Sequence, residues 1–226
     1  MEAFAATSLS RTVRYRALVW PQAAPAYADF VETVQMAVSY TCNDLSSNPQ
    51  LVQDHSEDQL TLRVVSGLKH LGLEASFETV TGGHCDVTVC FGDYYWLAEA
   101  KIHTDTGWLW SGYQQLVTRY NTGDPNSRFG GMLIYCFKPR TDRLMTSWQE
   151  RMHKEDPDIA FHPSGEYVAA AFRSLAPSVR TGIELDILHT PVSLLFEPQD
   201  KPSKRTTSIK KRASKNAKAR SHRAGG

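Results

Sequence analysis

The sequence predicts an α/β (α+β) fold, a mixed central sheet flanked by helices. Three observations predict it: two apolar stripes of helical period before residue 72, three β-rich runs between Glu74 and His103, and a return to alternating helix and strand patterns as far as Phe196. Ala26 to Leu45 places Phe30, Val34, Ala37, Val38, Thr41 and Leu45 near helical spacing, which predicts an amphipathic helix packed on the sheet. A second helix is expected from Ser56. There Ser56 and Gln59 form the S-x-x-Q pattern of a capping box, and Leu60, Val64, Leu68 and Leu71 continue one stripe until Gly72 ends it. Glu57 lies on that same stripe. A carboxylate at the core-facing start of a helix either stabilises the helix dipole or looks into a site at the sheet edge.

Glu74–Val80 reads as a strand, followed by the break Thr81-Gly82-Gly83, then His84–Phe91 and Tyr94–His103 as strands joined by Gly92-Asp93. Trp108–Tyr120 is expected to be a loop leading into a helix, and Gly131–Phe137 a short, apolar, central strand. Leu144–His153 and Glu166–Leu175 are predicted helices, and Gly182–Leu188 with Val192–Phe196 predicted strands.

Length and charge divide the chain into a domain over residues 1–200 and a tail over 201–226. Ten of the 25 basic residues and none of the 24 acidic ones lie from Lys201 onward, so the preceding chain holds 15 basic residues and a net charge of −9. The tail has one isoleucine as its only large apolar side chain, which predicts disorder. Lys210, Lys211 and Arg212 would there act as a nonspecific anchor for a polyanion through counterion release, the alternative being a solubilising extension. No apolar run approaches the ~18 residues of a membrane span, and no signal peptide is evident, so a cytoplasmic protein without a membrane partner is expected. Cys42, Cys85, Cys90 and Cys136 lack the dense spacing of a disulfide scaffold, and His84, Cys85 and Cys90 lack the second CxxC pair of a zinc site.

The hairpin carries the chemistry. A two-residue Gly-Asp turn places Phe91 opposite Tyr94, which sets Asp86 opposite Glu99 and His84 opposite Lys101. His84, Asp86, Thr88 and Cys90 then share a face with Tyr95, Leu97, Glu99 and Lys101, and the apolar residues take the other. Two facing carboxylates, with Cβ atoms roughly 4.5–5.5 Å apart, repel each other unless something positive lies between them. A Mg²⁺ ion answers that need, because it favours oxygen ligands and takes one or two carboxylates plus phosphate oxygens. Lys101 would position the attacking water. An ordinary cross-strand ion network is the competing explanation, weakened by the apolar flanks Val87, Val89, Leu97, Ala98, Ala100 and Ile102.

Gly83-His84-Cys85-Asp86 entering a strand, twelve intervening residues, and Leu97-Ala98-Glu99-Ala100-Lys101-Ile102, all preceded by a helix starting Ser56-Glu57, resemble the PD-(D/E)xK nuclease superfamily. The resemblance covers about Ser56 to Phe137. It implies a restriction-endonuclease-like fold, Asp86 and Glu99 as metal ligands, Lys101 as the catalytic lysine, Glu57 as a further acidic residue at the metal, and the Ala100 carbonyl as a ligand. It implies Mg²⁺, with Mn²⁺ able to substitute, and hydrolysis of DNA in restriction, phage defence or phage DNA processing. RNA stays open as a substrate and a homodimer as the assembly. Cys85 replaces the motif's proline. In the RecB-like branch a later helix carries Gln and Tyr four residues apart, whereas Gln115 and Tyr120 are five apart, with Arg119 at the expected place.

Gln115 and Arg119 form an i, i+4 pair that could reach a phosphate. His84 could assist proton transfer or contact substrate. Trp108 and Trp110 are expected in the core, with base stacking or a dimer contact as alternatives. Two other functions compete: a catalytically silent nucleic-acid-binding or assembly subunit of the same fold, and a non-nucleic-acid interaction domain whose acidic body binds a basic partner and whose tail binds RNA, membrane or an acidic protein.

Overall fold

A computed structural model of the chain describes residues 11–20, 25–80, 84–120, 124–164 and 168–200. Met1–Phe196 form one unit and Glu197–Gly226 a second. Of the second unit only Glu197–Asp200 are described, so the basic tail with Lys210, Lys211 and Arg212 lies outside the described residues.

The first unit is built on a seven-stranded mixed sheet of order β1-β2-β3-β4-β7-β6-β5. Its strands are β1 (Glu74–Val80), β2 (His84–Phe91), β3 (Tyr94–Ile102), β4 (Phe129–Cys136), β5 (Ala160–Pro163), β6 (Phe172–Pro177) and β7 (Glu184–Ser193). β3 and β4 run parallel, as do β4 and β7, and every other neighbouring pair is antiparallel. Five helices flank it: α1 (residues 11–20), α2 (Tyr27–Ser47), α3 (Glu57–His70), α4 (Thr106–Gln115) and α5 (Thr141–Glu155).

The sheet separates two apolar cores. On one face Val87, Val89, Trp96, Ala98, Ala100, Leu133 and Tyr135 meet Phe30, Val34 and Val38 of α2 and Leu60, Val64 and Leu68 of α3. On the other Leu97, Met132, Ile134 and Ile187 meet Leu109 and Tyr113 of α4 and Met145, Trp148 and Met152 of α5. Burying each such large side chain contributes roughly 1.5–3 kcal/mol. Two hydroxyls fix the helices on the first face. Tyr27 donates to the Tyr95 carbonyl at 3.0 Å and accepts from the Phe129 amide at 3.2 Å, while Thr61 and Tyr135 share a buried hydrogen bond at 3.1 Å. The second contact sits one turn from Glu57 and so sets the position of the start of α3. At the sheet centre, a Cβ on residue 131 would lie 2.4 Å from Trp96 Cζ2, which explains a glycine inside a buried strand.

The predicted α2, α3, β1, β2, β3, β4 and α5 all form, and the Ser56–Gln59 capping box closes in both directions. Of the helix expected at Glu166–Leu175, the described residues 168–175 are not helical. Residues 168–171 turn and Phe172–Pro177 is a strand, because Phe172 and Ser174 alternate into the core and the backbone completes a ladder with β7. Pairing on the existing sheet overrides the helix propensity of Ala169, Ala170 and Ala171. In place of the two strands expected at Gly182–Leu188 and Val192–Phe196 there is one strand, β7, which runs through the expected break and ends at Ser193. Pro191 is tolerated within it, since β6 pairs only as far as His189 and the edge of β7 beyond that point needs no donor. The turn of α4 begins at Thr106, two residues ahead of the expected loop.

Candidate functional site

β3 is paired with β4 from Leu97–Gly130 to Ile102–Tyr135. With β2 it is paired only from Tyr94 to Ala98. Beyond Ala98 the strand's other edge would present open N–H groups, and buried amides without acceptors are costly. Two carboxylates take them. The Ala100 N–H donates to Asp86 Oδ2 at 2.8 Å, and the Ile102 N–H donates to Glu57 Oε2 at 2.6 Å. Glu57 is the first residue of α3, where the helix N-terminus favours a negative charge.

This geometry corrects the expected pairing. The Gly92-Asp93 turn does set the register from Phe91–Tyr94 to Val87–Ala98, but the ladder stops there. Asp86 therefore turns into the open edge of β3 instead of facing Glu99 across a ladder. His84 is paired through its backbone with Val80 of β1, and the β2–β3 ladder does not reach it to set it against Lys101.

Lys101 gathers the cluster. Its buried ammonium lies 2.7 Å from Glu99 Oε1, 3.3 Å from Glu57 Oε1 and 3.7 Å from Asp86 Oδ2, and donates to the Ala100 carbonyl at 3.1 Å. Three carboxylates around one ammonium leave two negative charges uncompensated when all are ionised. Glu99 Oε2 is buried with no hydrogen-bond partner. Burial, then the Asp86 charge, pushes the Glu99 carboxyl up to about 7, with Lys101 opposing. Asp86 is likewise raised by burial, against the Ala100 N–H and Lys101. For Lys101, burial favours the neutral amine, but Glu99, Asp86 and Glu57 together outweigh it and hold the ammonium above its usual range.

Two residues of α4 shape the lysine's surroundings. Gly112 gives its stem room, since a Cβ there would come within 3.0 Å of Lys101 Cγ, 3.1 Å of Met132 Cε and 3.2 Å of Lys101 Cε. The Trp108 ring centroid is 5.6 Å from Lys101 Nζ, within cation–π range. Sequence reasoning missed Gly112, although a glycine inside a helix, at about 1 kcal/mol below alanine, signals close approach of another group.

The two tryptophans part company. Trp110 is half-buried, stacked on Tyr113 at 5.4 Å and set edge-on to Trp148, as expected of a core residue. Trp108 is 46% exposed, against the expectation that it packs inside. After Gln115 the helix opens into a π turn, Leu116–Tyr120, which closes on i+5. The expected i, i+4 stacking of Gln115 and Arg119 is therefore lost. Gln115 is half-buried, Arg119 is exposed, and neither bonds to the cluster.

The donor set is hard: three carboxylates and a main-chain carbonyl, in which Asp86 and Glu57 each spend one oxygen on a backbone N–H, and the second oxygen of Glu57 accepts from Lys101. Among the described residues no three His, Cys, Asp or Glu side chains converge as a ready-made ion cage. That is compatible with Mg²⁺, which completes its shell with water and phosphate oxygens. The four cysteines are free thiols. No described helix is long and apolar enough to cross a membrane.

A second buried polar group lies under α5. Trp148 Nε1 donates to His189 Nδ1 at 3.0 Å, and His189 Nε2 is 2.8 Å from Ser174 Oγ. An indole nitrogen only donates, so Nδ1 accepts and Nε2 carries the proton toward the serine. Burial lowers the imidazole to about 3. The proton is on the wrong atom for activating Ser174, and the trio is a packing device. A groove of about 460 Å³ beside Met145, Phe161 and Phe172 shares no residue with the carboxylate cluster. No protein-family model, curated protein or solved structure matches the chain.

Proposed function

We propose that the cluster is the active site of a Mg²⁺-dependent endonuclease that hydrolyses phosphodiester bonds in DNA, on a restriction-endonuclease-like fold of the PD-(D/E)xK type. The observation that carries this reading is the gathering of Asp86, Glu99, Glu57 and the Ala100 carbonyl around the Lys101 ammonium, with Glu99 Oε2 buried and unpartnered. The order α3, β1, β2, β3, α4, β4, with the acidic residues on α3, β2 and β3 and the lysine two residues after Glu99, supports it further.

A structural ion network is the weaker account. One ammonium does not balance three carboxylates, and Glu99 Oε2 is left buried without a partner, which a cation would satisfy. Asp86, Glu99 and the Ala100 carbonyl would hold the ion, with Glu57 beside them. A bound Mg²⁺ supplies polarisation of a phosphodiester oxygen and lowers the pKa of water.

The protein's own groups supply the rest. The sheet amides of Ala100 and Ile102 hold the carboxylates of Asp86 and Glu57 in fixed orientation, so no reorganisation is needed when substrate arrives. Lys101, once its carboxylate partners are otherwise engaged, has an ammonium free to donate to a phosphate oxygen and to orient the attacking water. Its Cα is fixed by pairing with Ile134 of β4, and its stem by the gap at Gly112. These parts serve positioning and charge stabilisation, the two terms on which phosphoryl chemistry depends.

The test is incubation of the full chain with plasmid DNA and with RNA, in Mg²⁺, Mn²⁺ or EDTA, beside Lys101→Ala and Asp86→Ala. Metal-dependent cutting by the wild type that both substitutions abolish is the expected result. Nucleic-acid binding that is identical in Mg²⁺ and EDTA and never leads to cutting would establish the silent subunit instead.

A further inference from the structure

We propose that Trp108 is a stacking platform for an unpaired base, so that the site acts on single-stranded DNA in preference to a closed duplex; this rests on the nuclease reading of the cluster. The ring sits 5.6 Å from the lysine ammonium assigned to the scissile phosphate, and 46% of the residue is open to solvent. A nucleotide's base reaches about that far from its own phosphate. Within a duplex both faces of a base are covered by its neighbours, whereas a single strand offers a free face to an aromatic side chain.

The backbone that carries the ring is ordered before anything binds. Asp105 caps α4, accepting the Trp108 N–H at 2.9 Å, and the adjoining turn is anchored by Trp110 stacked on Tyr113. A side chain whose backbone is already ordered loses less freedom when a base covers it. The neighbouring loop carries a second cation. Exposed Lys138, just beyond β4, donates to the Thr104 carbonyl at 2.9 Å, on the loop that leads into α4. Aromatic ring, buried ammonium and exposed ammonium thus lie together at the carboxyl ends of the parallel strands β3 and β4, the end of an open α/β sheet where ligands bind. A partly exposed ring with an ammonium beside it fits the arrangement that single-strand binders use, with phosphate contacts set beside base stacking.

The alternative role for Trp108 is to hold Lys101 by cation–π attraction alone. The two roles separate in a thermodynamic cycle. Trp108→Leu and Trp108→Phe are compared with wild type on a single-stranded oligonucleotide, on the same oligonucleotide with abasic residues flanking the cut, and on a hairpin duplex. Expected is a roughly 10- to 100-fold loss of kcat/KM for Trp108→Leu on the intact single strand, little loss for Trp108→Phe, and no difference between variants on the abasic strand or the duplex. An equal loss on intact and abasic strands, or no loss at all, overturns the proposal while leaving the nuclease reading in place. Affinity for the labelled intact and abasic strands in EDTA gives a readout that does not need cutting. If wild type cuts nothing, the nuclease reading fails, and a Trp108-dependent preference for the intact strand in EDTA still decides whether the ring stacks.

Discussion

The Lys101 ammonium lies 2.7 Å from Glu99 Oε1 while the other oxygen of the same carboxylate is buried without a partner. Half of Glu99 is satisfied and half is not, and its neighbours Asp86 and Glu57 are negative. Burial first, and then the Asp86 charge, favour the protonated form and push the carboxyl up to about 7 from the ordinary 4.5. A folded-state pKa raised in this way contributes stability that is fully present below about 4.5 and is lost as pH rises through about 7. Asp86, also raised, acts in the same direction. Metal-free protein is therefore expected to melt at lower temperature at pH 8 than at pH 5.5. Saturating Mg²⁺ replaces the proton, so the gain in Tm on adding it should grow over the same interval. Thermal scans with and without Mg²⁺ across pH 5–8 check this, and a gain that shrinks with pH would contradict it.

Lys101 and a metal ion compete for the same oxygens. Lys101→Met keeps the length and apolar stem of the side chain and removes the competitor. Mg²⁺ or Mn²⁺ affinity by calorimetry is expected to rise several-fold, and DNA cutting to fall by about 10²–10⁴-fold, the usual scale for a positioned proton-handling group. A variant that lost metal affinity and activity together would show that the lysine holds the ion's site open and has no separate part in the chemistry.

Much of this site was legible in the sequence, and the reason is local. The capping box at Ser56–Gln59, the Gly92-Asp93 turn and the E-x-K spacing on an apolar strand are short-range patterns, and each fixes the place of one charged residue. What escaped depends on where strands part. Alternation sets Asp86 against Glu99, but the ladder ends one pair earlier, and nothing in the sequence marks that point. Glu166–Leu175 reads as a helix because its alanine-rich composition favours one in isolation, and only the free edge of β7 makes its second half a strand. The exposure of Trp108 and the gap at Gly112 depend on the packing of α4 against β3, which a one-dimensional pattern does not contain.

Asp86 has two tasks that substitution can separate. Its Oδ2 accepts the Ala100 N–H, a sheet-like bond, and its charge serves the cation. Asp86→Asn keeps an acceptor oxygen and loses the charge; Asp86→Ala loses both. The asparagine variant is expected to fold with the Ala100 amide still protected from hydrogen exchange, while metal binding and cutting disappear. The alanine variant should lose about 1–3 kcal/mol in urea unfolding, the usual consequence of an orphaned buried amide. Equal destabilisation in both variants would mean that the Ala100 contact contributes nothing to the fold.

Gly112 offers the sharpest separation of stability from activity. Alanine is the better helix former by about 1 kcal/mol, and Gly112 lies inside α4. Against that gain, the added Cβ would meet the Lys101 stem at 3.0 and 3.2 Å and Met132 Cε at 3.1 Å. The crowded atoms are the flexible parts of two long side chains, which yield by a few tenths of an ångström, so the two effects nearly cancel and the unfolding free energy of Gly112→Ala should stay within about 1 kcal/mol of wild type. The lysine, however, has its ammonium among four oxygens and tolerates little displacement. A shift approaching 1 Å at a positioned group costs up to about 10²-fold in rate. The expected result is a variant of near-normal stability whose kcat falls about 10-fold or more with KM little changed, measured by urea unfolding beside steady-state cutting. A variant with unchanged kcat would show that the stem has room to spare and that the position of Lys101 is set by its carboxylates alone.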